Sequence, residues 1–309
     1  MTQLTILCSG QGAQSPDLFS GFPFTEKGLA IKQSILASGC LSPEVAEWLA
    51  APEVRPSAIF ENHFSQPLLC LYQSMIWAEV ASFLPRPSLI AGYSLGELSA
   101  YGCAGALSPE EVVKLASLRA NLMDHAGPQG ELLAVQGLPP NAMPAVEGAH
   151  VAIIIAEDHF VVGCLAEQAS RVAEALSKAG AREVTPLAVS VASHTAILDS
   201  AVAPFRTALT SVLWSPPQIP ILAGVNAAKV MRREQMEQLL PEQIHRTIRW
   251  DLILQRFVES GNRVLLEIGP GRQLAHMAAS RGLEARSIEE FRSPEGVASW
   301  VENAIRRAG

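Results

Sequence analysis

Four residues that read as a buried strand, Ser88-Leu89-Ile90-Ala91, run directly into Gly92-Tyr93-Ser94-Leu95-Gly96, and a helical pattern follows over about 95–104. This junction restricts the fold more than any other feature of the chain. A strand that turns into a helix within a few residues needs glycine on both flanks, and the sharp turn holds the central serine clear of its neighbours. The following helix aims its free N–H groups and its positive end at the same point, where they can stabilise an oxyanion. Glycine and serine are common, so the pattern alone is equally a plain tight turn. Its meaning comes from the segments around it.

The strand-then-helix texture recurs. Residues 3–8 are an apolar run ending at Ser9-Gly10-Gln11-Gly12. A mostly buried helix is expected over 67–83, stopped by Pro85 and Pro87, and another over 109–126, opening on Ser108-Pro109-Glu110-Glu111. Residues 13–63 hold several possible helices. Further on, a helix is expected near 196–212, a strand at 219–223 and helices at 233–245 and 251–259. The strand Val264-Leu265-Leu266-Glu267 follows, with a helix at 272–281 after Gly269-Pro270-Gly271. Strands alternating with helices imply a largely parallel sheet. Between 129 and 189 the texture changes. Strands are expected at 131–137, 150–156, 159–164 and 182–189, with helices at 140–147 and 165–179. That β-α-β-β-α-β order is the ferredoxin-like pattern. The chain therefore reads as an α/β protein. A discontinuous large domain with a parallel sheet (residues 1–128 and 190–309) carries an inserted small ferredoxin-like subdomain (residues 129–189).

Composition removes several function classes. With 49% hydrophobic and 17% charged residues over 309 positions, the chain can build a large core and is not disordered. A net charge of −7 argues against a general nucleic-acid binder. The apolar stretch from Leu68 to Leu84 is broken by Gln73, Ser74, Glu79 and Ser82, so no membrane span is expected. Met1 to Leu7 lacks the basic start of a signal peptide. Cys8, Cys40, Cys70, Cys103 and Cys164 are widely spaced with no CxxC pair. This argues against a disulfide framework or a structural zinc site, and fits a reducing, cytoplasmic setting. No metal and no dinucleotide site is implied; Gly10-x-Gly12 lacks the full dinucleotide spacing.

A serine nucleophile needs a base. Among seven histidines, His194 stands out because Val189-Ser190-Val191-Ala192-Ser193-His194 leaves the small subdomain, at a boundary where clefts form.

Taken in order, these motifs resemble the malonyl-CoA:acyl-carrier-protein transacylases and the acyltransferase domains of polyketide and fatty acid synthases. Gly10 to Gln14 resembles that family's GQGAQ, Ser65-Gln66-Pro67 its TQP, and Gly92 to Glu97 its GHSLGE. Arg119 to Met123 resembles RGxLM, and Ser193-His194 the histidine loop. Gln243 to Trp250 resembles a segment running from glutamine to tryptophan, and Glu267 to Gly271 resembles EIGPG. The resemblance covers nearly the whole chain. It implies an α/β-hydrolase-like large domain with the inserted ferredoxin-like subdomain. It implies that Ser94 is the nucleophile, that His194 is the base and that Gln243 orients it through a backbone carbonyl. By the same resemblance, the N–H groups of Gln11 and Leu95 form the oxyanion hole, and Arg119 binds the free carboxylate of a malonyl group. The implied partners are malonyl-CoA, a substrate rather than a cofactor, and an acyl carrier protein. The chain would act as a monomer or within a multi-subunit complex. A planar guanidinium suits a carboxylate because two parallel N–H bonds match two oxygens. Since carrier proteins are commonly acidic, a local basic rim is expected near the cleft.

The chain departs from the family at Tyr93, where histidine is usual, at Ser9, where proline is common, at Glu131-Leu132-Leu133-Ala134, and at Glu157-Asp158, where an asparagine-containing NSP is common. The GYS variant is similar to the transacylase subunit of malonate decarboxylase. Two other readings compete. An esterase or thioesterase would draw on His245 or His276 with Asp199 or Asp251, since its histidine usually comes late in the chain. A non-catalytic carrier-binding subunit would keep the fold and lose the reactive serine.

Overall fold

The computed structural model describes residues 3–308; Met1 and Thr2, part of the N-terminal run discussed above, and Gly309 lie outside the described residues. Strand β1 (Leu4–Cys8) is buried at every position, as its apolar sequence demands. Three helices follow, α1 (Glu26–Ser38), α2 (Pro43–Ala50) and α3 (Asn62–Val80), then β2 (Leu89–Gly92), α4 (Gly96–Cys103) and α5 (Pro109–His125). The middle of the chain supplies β3 (Gly130–Gln136), β4 (His150–Ala156), β5 (His159–Leu165), α6 (Ala169–Lys178) and β6 (Glu183–Pro186). The chain continues through α7 (Asp199–Leu209), β7 (Ile221–Leu222), β8 (Lys229–Val230), α8 (Arg233–His245), β9 (Ile248–Arg249) and α9 (Trp250–Glu259). It ends with β10 (Val264–Ile268), α10 (Gln273–Ala279), β11 (Glu284–Ser287) and α11 (Pro294–Ala308).

The larger sheet has the order β11-β10-β1-β2-β7-β8 and is parallel except for the last pair. Helices cover both faces, so its central strands β1, β2 and β10 are buried at every position. Cys8 and Gly92 are register partners at the carboxyl ends of β1 and β2. The Ser9–Gly12 loop and the Tyr93–Leu95 turn therefore leave the sheet side by side. The chain order reverses at β1, flanked by β10 and β2, and the crevice beyond the carboxyl ends of such strands is where open α/β sheets bind ligands.

The second sheet runs β6-β3-β5-β4-β9. Its first four strands pair antiparallel, while β9, from the returning chain, adds parallel to β4. This sheet is thus completed by Ile248–Arg249, from outside the 129–189 segment.

Several elements differ from the sequence reading. The helix expected at 140–147 is only a 3-10 turn, Pro140–Ala142. Pro139, Pro140 and Pro144 remove backbone donors and bar helical geometry in the residues before them. The helix expected from 67 begins at Asn62 and encloses Pro67, and it gives way at Val80 to a 3-10 turn, Ala81–Phe83. The strand expected at 219–223 shrinks to Ile221–Leu222. The Ser108-Pro109 start holds: the Ser108 hydroxyl accepts from Glu111 N–H, with proline in the first turn. Glu157 and Asp158 form the two-residue turn between β4 and β5.

The five cysteines are free. Among the described residues no helix is long and apolar enough to cross a membrane, and no group of three His, Cys, Asp or Glu side chains could hold a metal ion.

Candidate active site

Ser94 sits on the turn between β2 and α4 with φ 54°, and its hydroxyl lies 2.8 Å from His194 Nε2. His194 also has positive φ, 64°, and its N–H donates to Ile244 O at 2.8 Å. Its Nδ1 lies 2.5 Å from the Gln243 carbonyl. A carbonyl can only accept, so Nδ1 carries the hydrogen and Nε2 keeps a free lone pair toward Ser94. Burial, then the nearby Arg119 charge, pushes the His194 imidazole down to about 3, against a smaller pull upward from the Gln243 carbonyl. The ring is therefore neutral at physiological pH and ready to take a proton.

Arg119, on α5, is only 2% exposed. Its Nη1 donates to Gln66 Oε1 at 2.8 Å and its Nη2 to Gln243 Oε1 at 3.0 Å. Both acceptors are neutral amides, and no carboxylate is ion-paired to the guanidinium among the described residues. A buried cation without an ion pair is costly, and an anion brought beside it relieves that cost.

The Gly10–Gly12 loop closes on the serine from the side of β1. A Cβ at Gly10 would lie 2.6 Å from Tyr93 O, so only glycine allows this approach. The Gln11 side chain donates to Ser65 Oγ at 3.1 Å. The backbone N–H groups of Gln11 and Leu95 have no acceptor among the described residues, and Leu95 N–H lies at the N-terminal end of α4. The sequence-predicted residues Ser94, His194, Gln243, Arg119, Gln11 and Leu95 are thus brought to one place.

A cleft of about 1240 Å³ opens between the two sheets' bodies and reaches His194, Thr195 and Ala196. Its cations do not form a free basic rim: Arg246 pairs with Glu242 at 2.7 Å and Arg249 with Asp251 at 2.8 Å. His245 is held by Asp199 and Glu242, and Asp251 is taken by Arg249. The alternative hydrolase pairings through His245 or His276 are therefore corrected, since the histidine on Ser94 is His194.

A model of the acyl transferase domain matches residues 24–302. The chain belongs to the acyl transferase domain family. The malonyl CoA-acyl carrier protein transacylase of Haemophilus influenzae is 28% identical over 321 residues, covering 99% of this chain and 98% of that one. A solved complex of a type II PKS acyl-carrier protein with its malonyl-transacylase contains a chain that is 26% identical with TM-score 0.83, covering 98% of this chain and all of that one. The malonyl-CoA:acyl carrier protein transacylase of Xanthomonas oryzae is 26% identical with TM-score 0.81, covering 98% of this chain and 99% of that one.

Three participants carry no role in the sequence reading. Gln66 holds Arg119 and is itself held by Asn62, one helical turn earlier, at 2.7 Å. Glu97 accepts from the Gln243 amide at 2.8 Å. Gln66 and Glu97 lie inside quoted motifs, but nothing in the motifs says which way their side chains turn. Asn62 lies in a segment whose helix the sequence left undefined.

Proposed function

We propose that this protein transfers a malonyl group from CoA to the phosphopantetheine-type thiol of an acyl carrier protein. The observation that carries this reading is the buried Arg119, ion-paired to no carboxylate among the described residues and joined through Gln243 to the Ser94–His194 pair. In the first half, Ser94 Oγ attacks the thioester carbonyl while His194 Nε2 takes its proton. The C–S bond breaks, and the proton passes from His194 to the departing CoA thiolate. In the second half, His194 takes the proton of the carrier thiol, whose sulfur attacks the malonyl ester. Ser94 then leaves and regains the proton. The N–H groups of Gln11 and Leu95 receive the oxyanion in both halves, while Arg119 holds the malonyl carboxylate. A thioester is already activated, so this scheme asks for no cofactor. The setting that suits it is the cytoplasm, where the chain works as a monomer or within a larger complex. The resemblance of Gly92-Tyr93-Ser94 to the malonate decarboxylase subunit makes that enzyme's carrier the first acceptor to try, beside carriers of fatty acid and polyketide synthesis.

The test is intact and peptide mass after mixing the purified chain with malonyl-CoA, acetyl-CoA or methylmalonyl-CoA and no acceptor. The expected result is a stable malonyl adduct on the Ser94 peptide with little acetyl adduct. Steady CoA release without an adduct would point to a hydrolase. Neither adduct nor release, together with no labelling of Ser94 by a serine-reactive probe, would point to a non-catalytic subunit.

A further inference from the structure

Glu97 places a carboxyl group at the centre of the site that the transfer scheme does not use. It comes three positions after Ser94, in the first turn of α4, and is fully buried. Its Oε2 accepts from the Gln243 side-chain amide at 2.8 Å and from Gly224 N–H, in the loop after β7, at 2.9 Å. The other charged or titratable groups facing it are Arg119 on α5 and Tyr101, one turn further along α4.

Gln243 is the hub of these contacts. Its Nε2 donates to Glu97 Oε2 and, at 2.8 Å, to Ser94 O, while its Oε1 accepts from Arg119 Nη2. Its own backbone carbonyl holds the His194 ring. Turning the amide over would set NH2 against the guanidinium and oxygen against both the Ser94 carbonyl and the Glu97 carboxyl. An acceptor at position 97 therefore makes one amide orientation strongly preferred.

We propose that Glu97 is a positioning residue: it fixes the Gln243 amide between Ser94 and Arg119, and its charge state sets how readily the pocket accepts an acyl group bearing a carboxylate. The proposal rests on the malonyl reading above. One amide separates Glu97 from Arg119. An ionised Glu97 offsets the guanidinium charge and repels an incoming carboxylate; a protonated Glu97 leaves that charge to the substrate. Burial lifts Glu97 to about 7, against weaker downward pulls from Gln243, Gly224 and Arg119, so its charge changes across the working range of pH. His194, held near 3, does not change there. Glu267 is also lifted to about 7, chiefly by burial, but it contacts Ser9 and the start of α10. Its titration would act on the Gly10 loop and so on every acyl group alike.

The experiment uses the full chain and its Glu97→Gln and Glu97→Ala variants. One readout is the rate of Ser94 labelling by a fluorophosphonate, which needs only the serine and its base. The other is the ratio of malonyl to acetyl adduct formed from the two CoA thioesters between about pH 6 and 8.5. In the unaltered protein the ratio is expected to fall about tenfold as pH rises, a change equal to one pKa unit of differential interaction. Glu97→Gln keeps an acceptor but cannot ionise, so it should restore labelling to within about twofold and give a ratio that does not vary with pH. Glu97→Ala should slow labelling about tenfold or more at every pH. If Glu97→Ala does not fold, the pH dependence of the ratio in Glu97→Gln decides. A ratio in Glu97→Gln that falls as in the parent, or a folded Glu97→Ala that labels at the parent rate, would overturn the proposal. A parent that labels but takes up no malonyl group defeats the malonyl reading and the charge effect with it; the labelling rates then judge the positioning role alone.

Discussion

Ser94 and His194 meet at 2.8 Å with both backbones in left-handed geometry, φ 54° and 64°. Neither residue is glycine, so each is held there at a cost of about 1–2 kcal/mol. The strain points the hydroxyl and the imidazole at each other from two separate loops.

That strain predicts a difference between two inactive variants. Ser94→Ala and Ser94→Gly both remove the nucleophile and should form no acyl adduct. Ser94→Gly relieves the left-handed backbone and should be the more stable by about 1 kcal/mol, read from urea midpoints. Equal midpoints would mean that the turn at Ser94 is not strained.

Arg119→Lys keeps the positive charge but cannot reproduce the planar pair of contacts to Gln66 and Gln243. The ratio of malonyl to acetyl adduct in competition should fall on the order of 100-fold, mostly through loss of malonyl. An unchanged ratio would remove Arg119 as the selector.

The pH profile of Ser94 reactivity follows from His194. Burial lowers its pKa from 6.5 to about 3, so the neutral, proton-accepting form persists well below the usual range. In a Glu267→Gln background, where the Gly10 loop does not titrate, fluorophosphonate labelling should show no acid limb near pH 6.5 and should decline only as pH approaches the lowered value. A loss of about tenfold between pH 7 and 5.5 would show that the imidazole titrates like a solvated one.

Gly96 packs against the end of β1. A Cβ there would lie 2.0 Å from the Cys8 carbonyl oxygen, which is backbone in the central strand and cannot swing away. Gly96→Ala should cost more than about 4 kcal/mol, seen as loss of soluble protein or a large drop in urea midpoint. Near-normal stability would mean that the turn can move off β1.

Much of this molecule is local in its causes. The apolar runs of β1, β2 and β10, the Ser108-Pro109 helix start and the glycine-flanked serine are each fixed by a few consecutive residues, and each is legible in the sequence. The ordered motifs also brought Ser94, His194, Arg119 and Gln243 forward together. The failures have local causes too. Pro139, Pro140 and Pro144 cancelled a helix whose hydropathy looked acceptable, and β9 is too short to show a period of its own.

What the sequence by itself determined is the parallel α/β pattern, the turn that presents Ser94 and the set of residues available for the chemistry. Only the tertiary structure decided which atoms those residues share. Gln243 comes 149 positions after Ser94, yet its amide donates to the Ser94 carbonyl and to Glu97 while its own carbonyl holds His194. The orientation of a buried amide depends on every donor and acceptor packed around it. Here those partners come from the β2–α4 turn, α4 and α5, and no local stretch of sequence contains them.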